Sequence, residues 1–321
     1  MRIISIRRSL SALWLSLAAA NPLAAQATPA VQDGTALMQE GRVAEARTIF
    51  ESILERDPAN PQAQEQEVAA TERLALEQRA GNHMVEALQT LMEGQKAVQS
   101  SARLAYDIGI LEDEMQLYPE AAKSLETAQQ LHMDDPMLLY AIARVEMDTG
   151  QLDKAGQTMQ QYLQQRPGDA SAHFGLGRIY QLGMQFDKAA AEFQESIRLQ
   201  PAQSEAWYQL GDIALKQRQF DEALTDFRHT LERNSRHGGA LAGSGEALFR
   251  EKQYEKALDF LDRAVAAAPD YQTGHYYRGL TLARLGRREE SEKELAAAAA
   301  LADAENKKSS TRYHLTVPDE P

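Results

Sequence analysis

One piece of the sequence has the composition of a phosphate-binding loop. Residues 238–245 read Gly-Gly-Ala-Leu-Ala-Gly-Ser-Gly, and the backbone N–H groups of such a glycine-rich piece can surround a phosphate. A nucleotide-binding loop also needs a lysine and a preceding strand, and neither is found here. The HExxH, GxSxG and dinucleotide-binding motifs are absent from the sequence as well. We therefore expect no phosphate chemistry at this piece.

The histidines and the acidic pairs are the other residues whose types could perform chemistry. None of the seven histidines recurs at a spacing of four, and there is no cysteine to complete a zinc site. Acidic runs such as residues 112–114 and Glu289–Glu290 fall on polar faces of predicted helices, where carboxylates are solvated. We expect His173 and His275 to be packed core histidines, and we predict no metal site, no cofactor and no catalytic residue.

The elements that position these residues follow a 34-residue repeat. Units start at residues 68, 102, 136, 170, 204, 238 and 272 without a gap, and an eighth unit near residues 27–60 fits if residues 61–67 are an insertion. The eighth place of the units is always small: Gly34, Ala75, Gly109, Ala143, Gly177, Gly211, Gly245 and Gly279. The twentieth place is small too: Ala46, Ala87, Ala121, Ala155, Ala189, Ala223, Ala257 and Ser291. Small residues in register predict pairs of helices that approach closely in every unit.

A second feature of the units predicts how they are filled and divided. The twenty-fourth place is always large and apolar: Phe50, Leu91, Leu125, Met159, Phe193, Phe227, Leu261 and Leu295. Prolines near the unit ends and glycines near the unit centres predict two helices per unit, joined by a turn. One helix hairpin cannot bury its apolar faces alone, so the units must stack on one another.

The repeat resembles the tetratricopeptide repeat. One unit carries Trp207, Leu210, Gly211, Ala223 and Phe227 at the positions of its signature, and the unit before it carries Leu176, Gly177, Tyr180, Ala189, Phe193 and Pro201. The resemblance implies an all-α, right-handed superhelix of about eight helix hairpins over residues 28–305. The remaining units are 68–101, 102–135, 136–169, 170–203, 204–237, 238–271 and 272–305, and a polar C-terminal tail, residues 306–321, follows them.

By the same resemblance, the second, fifth and ninth places of each unit face a concave groove. The fifth places are Tyr106, Tyr140, Phe174, Tyr208 and Tyr276, interrupted by Ala242, and the ninth places include Arg144, Arg178, Asp212 and Glu246. Aromatic rings can stack on a peptide, and the two arginines can bind a carboxylate. Two alternatives stay open, because such rings also pack between helices and also stack on sugars.

Residues 1–27 have the features of a secretory signal. Arg2, Arg7 and Arg8 precede an apolar run over residues 10–20, and residues 25–27 read Ala-Gln-Ala, a form that signal peptidase accepts. The run is too short to span a bilayer, which takes roughly 20 residues. We predict export, to a bacterial periplasm, of a mature protein without a membrane span; a mitochondrial presequence is the alternative.

Charge narrows the expected partners. The chain has a formal net charge of −13, and residues 1–27 contribute only positive charge to it. Nucleic acid is therefore not an expected ligand, and neutral or basic partners are. We predict a non-catalytic scaffold or adaptor that holds proteins or peptides, with self-association through its C-terminal unit. The alternatives are a glycan-binding module of polysaccharide export or envelope assembly, and a hydrolase or glycan-processing enzyme, which the two carboxylates of residues 61–67 support poorly.

Overall fold

The computed structural model describes residues 30–314, with side chains described for residues 30–305. The predicted signal, residues 1–27, lies outside this range. The described residues form sixteen α-helices and no strand. The helices are α1 Val31–Gln39, α2 Val43–Leu54, α3 Pro61–Ala80, α4 Met84–Ala97, α5 Ala102–Glu114, α6 Tyr118–Gln130, α7 Met137–Asp148, α8 Leu152–Gln165, α9 Ala170–Leu182, α10 Phe186–Leu199, α11 Ser204–Lys216, α12 Phe220–Arg233, α13 Gly238–Arg250, α14 Tyr254–Ala267, α15 Gln272–Arg284 and α16 Arg288–His314.

The helices form hairpins that stack in chain order. Each odd-numbered helix, the first of its unit, packs on the even-numbered helix that follows it, and each even-numbered helix packs on the first helix of the next unit. First helices of neighbouring units also pack on each other, as α11 does on α13 and α13 on α15. Helices on the inside of a curved stack lie closer together, so the first helices line the inner face. The predicted all-α stack of helix hairpins is confirmed.

Each hairpin is closed by a large side chain that fits against a glycine. A Cβ atom added at Gly211 would lie 2.6 Å from Cε1 of Phe227, and one added at Gly177 would lie 2.7 Å from Cδ1 of Phe193. Both phenylalanines are at most 1% exposed. The structure thus confirms that the small residues of the eighth place mark a close approach. It adds that the side chain of the twenty-fourth place, rather than a bare backbone, fills the space.

The glycine-rich piece, residues 238–245, forms the first turns of α13. Gly243 contacts the ring of Phe227, Gly245 contacts Leu261, and Gly238 contacts Ala268. All of these contacts belong to the packing of α13 against α12 and α14. Helix packing therefore explains why these positions are glycines.

The predicted insertion, residues 61–67, forms the first turns of α3, which is 20 residues long where α5 has 13. Its last residue, Glu67, is fully buried and accepts hydrogen bonds from Arg47 Nε at 2.9 Å and from Thr71 Oγ1 at 3.1 Å. Burial raises the pKa of Glu67 to about 7 although Arg47 lowers it. A carboxylate held in this ion pair serves the packing of α2 on α3, and it gives no support to the hydrolase alternative.

His173 and His275 occupy equivalent places in their units and make equivalent contacts. Nδ1 of His173 lies 2.7 Å from the Glu192 carboxylate, and its Nε2 lies 3.2 Å from a backbone carbonyl at the end of the preceding unit. For His275 the distances are 2.7 Å to Glu294 and 2.9 Å to the corresponding carbonyl. The prediction of packed core histidines is confirmed at both positions.

The C-terminal segment departs from the simple repeat. Helix α16 runs to His314 and so continues into residues 306–314, which we had assigned to a polar tail after the last unit. None of the helices within residues 30–314 combines the length and the apolar character that a bilayer span requires.

We expect Gly211→Ala to destabilise the protein by about 1–3 kcal/mol, because the new Cβ displaces the Phe227 ring; this exceeds the gain of about 1 kcal/mol in helix propensity. Urea unfolding followed by circular dichroism measures the change. Gly175→Ala is the matched control: it also lies within a helix, and its new Cβ would have Met159 Cε 3.5 Å away. It should be neutral or stabilising, and equal effects of the two variants would contradict this account of the hairpin.

Candidate functional site

The predicted aromatic row lies on the first helices of five units. Its members are Tyr106 on α5, Tyr140 on α7, Phe174 on α9, Tyr208 on α11 and Tyr276 on α15. The first four are partly buried, and Tyr276 is 40% exposed. The row therefore forms part of the inner face, but most of its rings offer only one side to solvent.

The buried sides of the rings pack within their own units. Tyr140 lies 5.4 Å from the ring of Tyr162 on α8, and Phe174 lies 5.5 Å from the ring of Phe193 on α10. Tyr208 likewise lies 6.0 Å from Phe227 on α12. These rings are anchored on the second helix of the same hairpin, which holds them rigidly at the inner face. Rigid aromatic surfaces lose little conformational entropy when a ligand covers them.

The two arginines predicted to bind a carboxylate, Arg144 and Arg178, differ in their contacts. Arg144 donates from Nε to the Asp113 carboxylate of the preceding first helix at 2.8 Å. Arg178 makes no hydrogen bond or ion pair with any side chain of residues 30–305. Glu205 has a lowered pKa, caused first by its hydrogen bond with His237 and in smaller part by the charge of Arg178. Arg178 is thus the member of the pair that remains available to a carboxylate.

The acidic ninth places also connect neighbouring first helices. Asp212 accepts a hydrogen bond from Gln181 of the preceding first helix at 3.1 Å, and Glu246 accepts one from the Tyr277 hydroxyl of the following first helix at 2.5 Å. Together with the Arg144–Asp113 pair, these bonds tie α5 to α7, α9 to α11 and α13 to α15. Much of the charge predicted to face the groove therefore holds the solenoid together.

A cavity of about 610 Å³ opens on the inner face beside Tyr106. We call it the Tyr106 pocket. Its apolar wall includes Leu76, which is 62% exposed, and Ile110. Its polar lining comes from α3, α5 and the turn before α7, namely Glu72, Arg79, Arg103, Asp107, Asp134 and Asp135. An exposed leucine beside a ring and several charged groups is the lining expected of a ligand site.

The cations of the Tyr106 pocket are already paired, whereas its acids are in excess. Arg79 binds both oxygens of Glu114, at 2.6 and 2.8 Å, and Arg103 binds Glu72 at 2.5 Å. Asp107 has no hydrogen bond or ion pair within residues 30–305. Burial and then the charge of Glu72 raise the pKa of Asp107 to about 6. The pocket therefore favours a positively charged group.

Sequence reasoning missed this pocket although the repeat register contained a signal for it. Glu72 stands at the fifth place of its unit, where the following units carry an aromatic ring, and Asp107 stands directly after Tyr106. The positions within the repeat could not show that the turn before α7 forms the third wall of the pocket, beside α3 and α5. No cluster of three His, Asp or Glu side chains suited to a metal ion occurs in the described part of the chain.

Comparisons with known proteins agree with the repeat. Two family models, both described as tetratricopeptide repeat, match this chain, one over residues 114–179 and the other over residues 183–218 and 208–272. The same helix hairpins continue on both sides of these ranges. The chain is a tetratricopeptide repeat protein. Proteins of this kind are typically non-catalytic scaffolds that bind proteins or peptides. No curated protein matches the sequence.

Solved structures share the fold at low sequence identity. A tetratricopeptide repeat protein from Parabacteroides merdae is 15% identical, with 78% of this chain and 97% of that chain covered, at a TM-score of 0.53. The C-terminal part of a repeat protein from Cytophaga hutchinsonii is 15% identical, with 71% and 93% covered, at a TM-score of 0.57. A chain of the APC/C hetero-tetramer Cut9-Hcn1 is 17% identical, with 84% and 52% covered, at a TM-score of 0.58. These likenesses confirm the superhelical solenoid.

We expect Asp107→Asn to stabilise the protein above pH 6 and to have no effect near pH 4. The folded-state pKa of Asp107 is raised, so the charged form costs stability once the pH exceeds the unfolded-state value near 3.8; the cost grows until about pH 6 and then stays constant. At pH 8 the variant should melt roughly 2–4 °C higher than the parent. Thermal melts at pH 4, 6 and 8 measure this. Asp134→Asn, an exposed carboxylate of the same pocket, is the control, and equal shifts for both variants would rule out burial of Asp107 as the cause.

Proposed function

We propose that this protein is a non-catalytic scaffold of the bacterial periplasm that holds a polypeptide partner along its inner face. The Tyr106 pocket carries the proposal, because it combines an exposed apolar wall with Asp107, a carboxylate that forms no ion pair within residues 30–305. Self-association through the last unit, α15 and α16, is a further part of the proposal.

The charges of the inner face suggest how a partner would lie. A lysine or arginine of the partner enters the Tyr106 pocket, where its stem packs on Leu76 and its charge meets Asp107. Further along, an acidic group of the partner binds Arg178. Two opposite charges on the partner then set its direction along the face. A basic segment also suits the net charge of −13 on the whole chain.

The comparisons add support of a general kind. In the Cut9-Hcn1 hetero-tetramer, a chain with the same fold belongs to an assembly of several protein chains. The role of a scaffold for this chain follows by analogy of fold, and the partner must be found from the site.

Replacing Tyr140 with the photo-reactive p-benzoylphenylalanine should yield a discrete cross-linked adduct with a partner protein in living cells. The substitution keeps an aromatic ring at the position and so preserves its packing on Tyr162. Tyr254 on α14, a second helix, is the matched aromatic control and should give no such adduct. Gel mobility and mass spectrometry provide the measurement. Adducts of equal yield at both positions would remove the inner face from the proposal.

Photo-cross-linking also tests whether the Tyr106 pocket prefers a positively charged group. Asp107→Lys reverses the charge without touching the aromatic row, and it should reduce the adduct formed by p-benzoylphenylalanine at Tyr106 by about tenfold, the effect of roughly 1.4 kcal/mol. An unchanged yield would show that the partner is not held by a basic group there.

For the proposed location, we expect the chain isolated from a Gram-negative host to begin at Thr28. Signal peptidase would cleave after Ala27, and the mass of the purified protein would fall accordingly. Intact-mass spectrometry of the periplasmic fraction makes the measurement. A chain that retains Met1 and stays in the cytoplasmic fraction would contradict export.

A further inference from the structure

A second cavity lies on the outer side of the solenoid, away from the first-helix surface. It has a volume of about 780 Å³ and opens between the second helices α10 and α12, with α11 as its floor. We call it the outer cavity. Trp207, Leu210 and Ile213 form its apolar floor, and Asp226 of α12 lines its side.

Other units of the repeat show a paired arrangement at this place. In two other units, the fourth place is a histidine that bonds the carboxylate of the twenty-third place: His173 to Glu192 and His275 to Glu294, both at 2.7 Å. In the unit from residue 204, the same two places are Trp207 and Asp226. A histidine at the fourth place thus closes the gap between the two helices of its unit.

Tryptophan is the signature residue at the fourth place, and in this unit both Trp207 and Asp226 lack such a hydrogen bond among the described residues. The Trp207 ring packs on His229 instead, with 4.4 Å between ring centroids. Its Nε1 is buried and has no hydrogen-bond partner among the described residues. The Asp226 carboxylate likewise has no hydrogen bond or ion pair there. A buried N–H group without an acceptor is destabilising.

The charge of the outer cavity is also unbalanced. Asp221, Glu222 and Asp226 all line it, and its one lining cation, Arg198, already donates to Glu195 at 2.7 Å. Burial raises the pKa of Asp226 to about 6, against the nearby charge of His229, which lowers it, so the carboxylate is mostly ionised at pH 7.

Two other cavities between neighbouring second helices provide a comparison. In the one between α2 and α4, Glu51 and Glu93 pair with the buried Arg47. In the one between α6 and α8, Glu146 pairs with Lys154 at 2.9 Å. Glu51, Glu93 and Glu146 therefore have cations from this chain, whereas Asp226 has none among the described residues.

We propose that the outer cavity binds an arginine side chain of a partner polypeptide. The planar guanidinium can pair with the Asp226 carboxylate through two hydrogen bonds and lie against the Trp207 ring, which a lysine ammonium cannot do as well. The site is independent of the inner face, so one molecule of this protein can hold two partners at once.

Intrinsic fluorescence tests the proposal directly. The sequence contains two tryptophans, so Trp14→Phe leaves Trp207 as the only one in the full chain. The probe is the peptide acetyl-Ala-Leu-Arg-Ala-amide, and two control peptides carry citrulline or lysine in place of arginine. Citrulline keeps the shape of arginine but has no charge. We expect a saturable change in emission with a Kd of about 1 mM for the arginine peptide and binding about tenfold weaker for both controls.

Substitutions test whether the arginine peptide binds in the outer cavity. In the Trp14→Phe chain, Asp226→Asn should weaken the arginine peptide about tenfold, whereas Glu146→Gln, which removes a buried carboxylate from the corresponding cavity between α6 and α8, should leave the Kd unchanged. Calorimetric titration of the same variants excludes an effect on emission alone, and circular dichroism confirms that they are folded. Equal binding of the citrulline or lysine peptide, no saturation by about 10 mM, or an equal loss in Glu146→Gln would each overturn the proposal.

Discussion

The solenoid depends on one contact that recurs from unit to unit: a large apolar side chain of the second helix lies against a glycine or alanine of the first. Phe227 against Gly211 and Phe193 against Gly177 leave no room for even one added methyl group. This contact sets the distance between the two helices of a hairpin, and the same hairpin shape then repeats along the chain. The curvature and the separation of an inner from an outer face follow from that repetition.

The stacking of hairpins assigns two different tasks to polar residues of the first helices. Arg144, Asp212 and Glu246 bond a neighbouring first helix and so hold the units together. Asp107 and Arg178 have no such bond within the described residues. Surface charges that are already neutralised by a neighbour add little to recognition, whereas unpaired and partly desolvated charges can add much. The inner face therefore owes its selectivity to the few residues that the stack does not use.

A repeat also makes its own exceptions informative. His173 and His275 each bond a carboxylate of the second helix of their unit, whereas Trp207 and Asp226, at the same two places, make no such bond among the described residues. In two similar cavities, Glu51, Glu93 and Glu146 pair with cations of this chain, which Asp226 of the outer cavity does not. On both faces, the candidate binding sites lie where one unit carries different polar side chains from the other units, although its helices are arranged in the same way.

The sequence alone determined the helix hairpins, their number and their order, because contacts between places 8, 20 and 24 recur at short, constant separations and are specified by residue size. The resemblance to the tetratricopeptide repeat also implied which places of a unit lie on the inner face. Tertiary structure alone decided which of these residues remain free. Arg144 and Arg178 look equivalent in the repeat, yet within the described residues only Arg144 forms an ion pair. The Tyr106 pocket exists because a turn from the next unit closes it. Side-chain pairing between units depends on distances of a few ångströms, and a linear pattern does not contain them.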